Sequence, residues 1–180
     1  MKNEGQLWQA AAGFAARAHL NQMRKDERTP YFAHPVRVAM TIRDVFGCED
    51  EAAICAGFLH DTIEDTTTDY DDLEGRFGAT IADIVAAMTK NMMLPEKERE
   101  RDYDARLAAG DWRARLVKLA DVYDNWCDSQ ELSPESRKKL VGKAKRALDL
   151  AEGDRKHHPE MERGVRALTA LTKGKKPGRA

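Results

Sequence analysis

Four side chains able to bind a metal or move a proton fall within the stretch His60-Asp61-Thr62-Ile63-Glu64-Asp65, directly behind the apolar run Glu51-Ala-Ala-Ile-Cys-Ala-Gly-Phe-Leu59. The small and apolar residues of that run suit a buried helix. If the helix continues, Glu64 sits four residues after His60 and three after Asp61, and Asp65 sits four after Asp61. The group then shares one face. Three carboxylates on one face repel one another unless a cation, or a proton on one of them, relieves the charge. An imidazole beside a carboxylate suits a borderline divalent metal, which leaves Glu64 and Asp65 to handle protons. The plainer alternative is a helix end carrying solvated surface acids.

Two further stretches set polar groups into apolar helices. In Pro30-Tyr-Phe-Ala-His34-Pro35, Pro35 suits a first helical turn because its missing N–H is not needed there. This puts His34 at a helix entrance, as a ligand or as a cap, ahead of an apolar helix over Val36 to Phe46 that closes at Gly47. In a helix from Trp112 to Asp128, Asp121 follows an apolar stretch and Asn125 lies one turn later on the same face. A buried carboxylate is costly unless paired. Metal ligation resolves that cost for Asp121, and so does a salt bridge to Lys118. His19, within a first amphipathic helix over Leu7 to Met23, reads as a polar side chain bonded to a backbone group.

The elements that must position these groups are helical throughout. Thr66 to Asp69 forms a turn and cap before a short helix to Arg76, and Ile81 to Met88 repeats the helical spacing. Pro95 opens a charged helix, Glu96 to Arg106, whose opposite charges three or four apart read as a solvated face. Lys97, Arg99 and Arg101 become sources of phosphate contacts if this segment overhangs the pocket. Ser133-Pro134 starts a helix to about Gly153, Pro159 starts one to about Leu171, and 173–180 reads as a disordered basic tail. No period-two alternation and no internal repeat occur, so residues 1–172 are expected to form one all-α domain. With 180 residues, a substantial core is available.

Lys+Arg of 30 against Asp+Glu of 31 argues against a protein that coats nucleic acid, while leaving room for a local basic pocket. Cys48, Cys55 and Cys127 have no paired spacing and suit free thiols in a reducing compartment. With no signal peptide and no long apolar run, the expectation is a cytoplasmic protein with no membrane partner.

His34, His60, Asp61 and Asp121 on three core helices make a mixed N/O set with positions left open for a water and a substrate oxygen. This pattern resembles the HD phosphohydrolases. The segments Ala18-His-Leu-Asn-Gln22-Met-Arg24-Lys25, Pro30-Tyr-Phe-Ala-His34-Pro35, Leu59-His-Asp-Thr-Ile-Glu-Asp-Thr66, Phe77-Gly78, Met88-Thr-Lys90 and Lys118-Leu-Ala-Asp121 with Asn125 resemble, in order and spacing, the hydrolase domain of RelA/SpoT homologues. The likeness runs over roughly residues 7 to 130 and is nearest to the single-domain small alarmone hydrolases, metazoan SpoT homologues included.

The resemblance implies an HD-domain helical bundle of about eight to nine helices and a 3′-pyrophosphohydrolase acting on ppGpp first and ppApp second. It implies one Mn²⁺ per chain, ahead of Fe²⁺ or Zn²⁺, held by His34, His60, Asp61 and Asp121. Glu64 and Asp65 would position and deprotonate the attacking water, and Arg24 would pack on the purine base. Lys25 and Asn125 would hold ribose or phosphate groups, with Lys90, Lys97, Arg99 and Arg101 nearby. Two departures bear on the base. Asp26-Glu-Arg-Thr29 stands where the family has a Gly-containing turn, and Asp124 adds a negative charge one turn from the pocket. Two rival readings stay open: an HD phosphohydrolase of another nucleotide, such as a 5′-nucleotidase, and a non-catalytic nucleotide-binding or antitoxin-like module. Assembly into a homo-oligomer is also left open.

Overall fold

The computed structural model describes residues 7–129 and 133–174. Its α-helices are α1 (Leu7–Ala18), α2 (Ala33–Met40), α3 (Glu51–Leu59), α4 (Thr62–Asp65), α5 (Tyr70–Phe77), α6 (Ala79–Met88), α7 (Glu96–Ala109), α8 (Trp112–Cys127), α9 (Pro134–Ala151) and α10 (Pro159–Thr172). A π-helical turn, Thr41–Val45, extends α2. Among the described residues the only β-type pairing is an isolated bridge between Met23 and Pro30, so the all-α expectation holds. Apart from the one-turn α4, the described α-helices number nine, within the eight to nine expected. Of the tail expected at 173–180, residues 175–180 lie outside the described residues.

A helix that is apolar on every side has to be surrounded. Helix α3 is buried from Ala53 through His60 and packs on α1, α2, α6 and α8. Asp50 caps its start: the side chain accepts from the Ala53 N–H at 2.9 Å and from Arg113 at 2.8 Å, which ties α3 to α8. Burial alone would raise the Asp50 pKa, but the Arg113 bond and the main-chain donors outweigh it and lower it. A lowered folded-state value means stabilisation that is fully present above the unfolded carboxylate pKa and is lost as pH falls through the folded one. Asp50→Ala is therefore expected to cost about 1–2 kcal/mol at neutral pH. The gap to wild type should narrow at about pH 3, as compared by urea unfolding at the two pH values.

Helix α3 crosses α2 at Gly57, where a β-carbon would lie 3.0 Å from the Ala39 Cα and 2.9 Å from the Ile42 Cδ1. This close approach sets His34 on α2 against His60 at the end of α3. Gly57→Ala is expected to lower stability by roughly 1 kcal/mol, the overpacking cost exceeding the helix-propensity gain. Thermal unfolding checks this, and a stabilised variant would mean that the crossing is loose.

The second central element is α8, which packs on α2, α3, α9 and α10 and buries Leu116, Val117, Leu119, Ala120, Val122 and Tyr123. It presents Asp121 and Asn125 towards the ends of α2 and α3. Helix α1 stops at Ala18, short of the expected Met23, and the chain reverses through Asn21 in the left-handed region at φ 66°. The following loop is built by Asp26, whose carboxylate accepts from the Arg28 and Thr29 N–H groups and the Thr29 hydroxyl. These bonds lower the Asp26 pKa to about 2. This Asx-type turn, with Glu27 at φ 56°, does the work of the glycine turn that the chain lacks.

Candidate active site and metal centre

The sequence leaves open whether one helix runs from Glu51 through Asp65, and the structure breaks it. The Thr62 hydroxyl donates to the Leu59 carbonyl at 2.7 Å, closing the end of α3, and Asp61 sits at φ −99°, ψ −2°. Glu64 and Asp65 therefore come from the separate turn α4, yet Asp65 still shares the Tyr31 hydroxyl with Asp61, and all three carboxylates line one cleft. Glu64 Oε2 accepts the Lys90 main-chain N–H at 2.8 Å, while Asp65 Oδ2 faces the Tyr31 hydroxyl at 3.1 Å. Burial, more than the opposing Lys90 hydrogen bond, raises the Glu64 pKa, which favours a carboxylate able to take a proton.

His34 is the second residue of α2 and Pro35 the third, so His34 lies in the first turn, at the expected entrance, and it is buried. His34, His60 and Asp121 converge, with one potential ligand atom from each lying within 4.8 Å of the others. Asp61 joins them: its Oδ2 is 3.0 Å from His60 Nε2 and 3.6 Å from His34 Nε2. Asp121 Oδ1 is 3.4 Å from His34 Nε2. Both imidazoles use their other nitrogen as a donor, His34 Nδ1 to Asp124 at 2.6 Å and His60 Nδ1 to the Gly57 carbonyl at 3.0 Å. That fixes each ring with its Nε2 lone pair turned inward, as metal-ligating histidines are held. His60 Nε2 is moreover buried and, although Asp61 Oδ2 is 3.0 Å away, no well-aligned hydrogen bond reaches it, which is costly unless something else occupies it. Two imidazoles and two carboxylates of this kind fit a divalent cation.

The electrostatics agree. Burial acts against charge on His34, yet hydrogen bonds to Asp121 and Asp124 raise its pKa to about 9, so a proton and a cation compete for the same Nε2. Burial also opposes the ionised form of Asp61, but a proton on His60 outweighs it and lowers the Asp61 pKa. Asp121 is held well below the ordinary range, its burial outweighed first by Lys118 and then by His34. An ionised carboxylate pair between two imidazoles is a site that positive charge stabilises. The salt-bridge reading of Asp121 holds, Oδ2 accepting from Lys118 Nζ at 2.9 Å, and this leaves Oδ1 facing His34 at 3.4 Å.

The set opens into a cleft of about 170 Å³ that also reaches Arg24, Tyr31, Lys90, Lys118, Asn125 and Lys143. The Arg24 guanidinium lies 5.6 Å from the Tyr31 ring centroid and donates to Asn125 at 3.2 Å and Asp128 at 3.0 Å. Lys25, Lys97, Arg99 and Arg101 do not line the cleft. For the last three the reason lies in the period of α7: Glu100, Tyr103, Asp104 and Leu107 occupy its inward face, which leaves Lys97 and Arg101 exposed and Arg99 against Met92. Sequence reasoning missed Tyr31, Tyr103 and Lys143 as cleft residues. Lys143 stands in a run of exposed basic residues that gives no local signal, whereas the spacing of Tyr103 and Leu107 could have revealed the inward face. Asp124, read as a stray negative charge, is buried and bonded to His34 and to Arg37 at 2.6 Å. His19 bonds the Gln22 side chain at 2.7 Å and not a backbone group.

A family model described as HD domain matches residues 11–147. The chain belongs to the HD-domain family. Within it, guanosine-3′,5′-bis(diphosphate) 3′-pyrophosphohydrolase MESH1 of Xenopus tropicalis is 40% identical over 136 residues, 75% of this chain and 76% of that protein. MESH1 of Homo sapiens is 42% identical over 126 residues, 69% of this chain and 70% of that one. A solved structure of "a metazoan ortholog of SpoT" that "hydrolyzes ppGpp" matches with a TM-score of 0.79 at 28% identity, covering 97% of this chain and 99% of that one. The MESH1-like HD domain is thus the fold that carries the cleft described above. None of its described helices is long and apolar enough to cross a membrane.

Proposed function

We propose that this chain is a divalent-cation-dependent 3′-pyrophosphohydrolase of ppGpp that releases pyrophosphate. The observation that carries the reading is the juxtaposition, in one cleft of a MESH1-like HD domain, of the His34–His60–Asp61–Asp121 set with two separately held carboxylates, Glu64 and Asp65. When bound, the cation supplies Lewis acidity and positive charge where negative charge develops. Glu64, buried and fixed by the Lys90 N–H, takes a proton from the attacking water, and Asp65 orients that water. The new bond forms between the water oxygen and the phosphorus attached to the 3′ oxygen. The bond from that phosphorus to the 3′ oxygen breaks, and the 3′ oxygen takes up a proton.

Lys90 and Lys118 offset charge on the diphosphate, and Arg24, braced over Tyr31, offers a planar face for a purine beside Asn125. Mn²⁺ is the proposed ion and guanine the proposed base, with ppApp as a second substrate. The absence of a strong basic excess and the buried thiols of Cys48 and Cys55 support a small-molecule enzyme of the cytoplasm.

The test is a metal-depleted preparation with Mn²⁺ restored and ppGpp, ppApp, GDP and 5′-monophosphates offered separately, following pyrophosphate and inorganic phosphate. Pyrophosphate from ppGpp is the expected result. Inorganic phosphate from monophosphates alone would make the protein a nucleotidase, and no turnover would make it a binding module.

A further inference from the structure

Glu64 and Asp65 are neighbours in sequence, yet they are held in different ways. A main-chain N–H fixes Glu64, whereas the exposed Asp65 carboxylate has, among the described residues, the Tyr31 hydroxyl as its hydrogen-bond partner at 3.1 Å. The same hydroxyl lies 2.7 Å from Oδ2 of Asp61, in the cation set. A phenol carries one hydrogen, so it donates fully to only one of these two carboxylates at a time.

Tyr31 is itself braced by the end of α1. Its ring lies 4.8 Å from the His19 ring, and Arg24 covers it at 5.6 Å. His19 Nδ1 meets Gln22 Oε1 at 2.7 Å, and Gln22 Nε2 donates to the Asp65 main-chain carbonyl at 2.7 Å. The residues that fix the Tyr31 ring therefore also fix the backbone of Asp65. A positioned donor and a positioned acceptor are what a shared hydrogen requires.

We propose that Tyr31 is the positioning residue for Asp65, handing its hydroxyl hydrogen from Asp61 to Asp65 when a cation competes for the Asp61 oxygen. Cation binding thereby orients Asp65 for its work on the attacking water. Tyr31 touches neither substrate nor cation in this role. The inference rests on the hydrolase reading given above.

Tyr31→Phe keeps the ring packing and removes the hydroxyl. Its kcat for pyrophosphate release from ppGpp is expected to fall about 10–100-fold with KM little changed, the usual loss when an outer hydrogen bond of a site is removed. In an Asp65→Ala background the same change should cost nothing further, because the two act as one unit. Calorimetric titration of the metal-depleted protein with Mn²⁺ alone supplies a readout independent of turnover. Affinity should be unchanged or slightly tighter, since Asp61 is relieved of a competing donor.

Wild-type kcat in Tyr31→Phe, an equal loss in the Asp65→Ala background, or Mn²⁺ binding weakened 10–100-fold would each overturn the proposal, the last by making Tyr31 a support for the ligand Asp61. A wild-type chain that releases no pyrophosphate brings down the hydrolase reading and this inference together. An active wild type with an indifferent Tyr31→Phe removes this inference alone.

Discussion

Asp121→Asn is expected to reduce pyrophosphate release by roughly three orders of magnitude, since several kcal/mol of charge stabilisation depends on a cation held in place. Asparagine keeps the size of the side chain and one oxygen, but it removes the charge that faces His34 on one side and Lys118 on the other. The second consequence is thermodynamic. A ligand that binds only the folded state stabilises it by about 2.7 kcal/mol at a hundred times its Kd, which for a domain of this size raises Tm by roughly 5–10 °C. Wild-type protein should show such a rise with saturating Mn²⁺ and lose it with a chelator, while Asp121→Asn should melt at the same temperature in both. Parallel melts and pyrophosphate assays check the two halves together. A variant that retained both turnover and protection by Mn²⁺ would remove Asp121 from the site.

Asp124→Ala should damage stability and cation binding together. Asp124 is buried and accepts from His34 at 2.6 Å and from Arg37 at 2.6 and 3.0 Å. Burial alone would raise its pKa, but the His34 and Arg37 bonds outweigh that and lower it. Removing one partner of a buried charge network costs about 3–5 kcal/mol, because the remaining groups stay desolvated. Arg37 keeps its bond to Asp128 at 3.0 Å, so the loss should fall near the lower bound, with a drop in Tm of roughly 6–12 °C. His34 also loses the bond that sets its tautomer and ring angle, and Mn²⁺ affinity should fall about 10–100-fold. Thermal unfolding with a chelator isolates the first effect, and Mn²⁺ titration below the lowered Tm isolates the second. If stability falls while Mn²⁺ affinity is kept, Asp124 serves the fold and not the site.

The features legible in the sequence are local ones. Ala53 to Leu59 is apolar on all sides, so α3 had to be central, and His60-Asp61 at its end had to lie where a buried helix meets the cleft. Asp121 in α8 follows from the same reasoning, since a carboxylate among Leu116, Val117, Leu119 and Ala120 needs a partner wherever the helix packs. Helix order was thus legible from periodicity, and Asp121's need of a partner from the cost of burying charge, whereas the gathering of His34, His60, Asp61 and Asp121 was implied by the family resemblance.

The remainder depended on which distant groups meet. The break at Asp61 rests on a hydroxyl-to-carbonyl bond from Thr62 and a bridge-region backbone, and no glycine or proline announces it. Asp124 reads as a stray negative charge until Arg37 and His34, 87 and 90 residues away, fold onto it. The basic residues of α7 looked like phosphate contacts, but the rotation of that helix turns Glu100 and Tyr103 inward instead. The sequence by itself determined the all-α architecture, because apolar periodicity is a property of single helices, and its motifs, through the family they resemble, marked the residues proposed to hold a cation and work on water. Only the tertiary structure decided how those residues are held: Glu64 by the Lys90 backbone, Asp65 by Tyr31, and His34 by Asp124. Hydrogen-bond partners are chosen by helix crossings to within a fraction of an ångström, and a linear pattern carries no such distance.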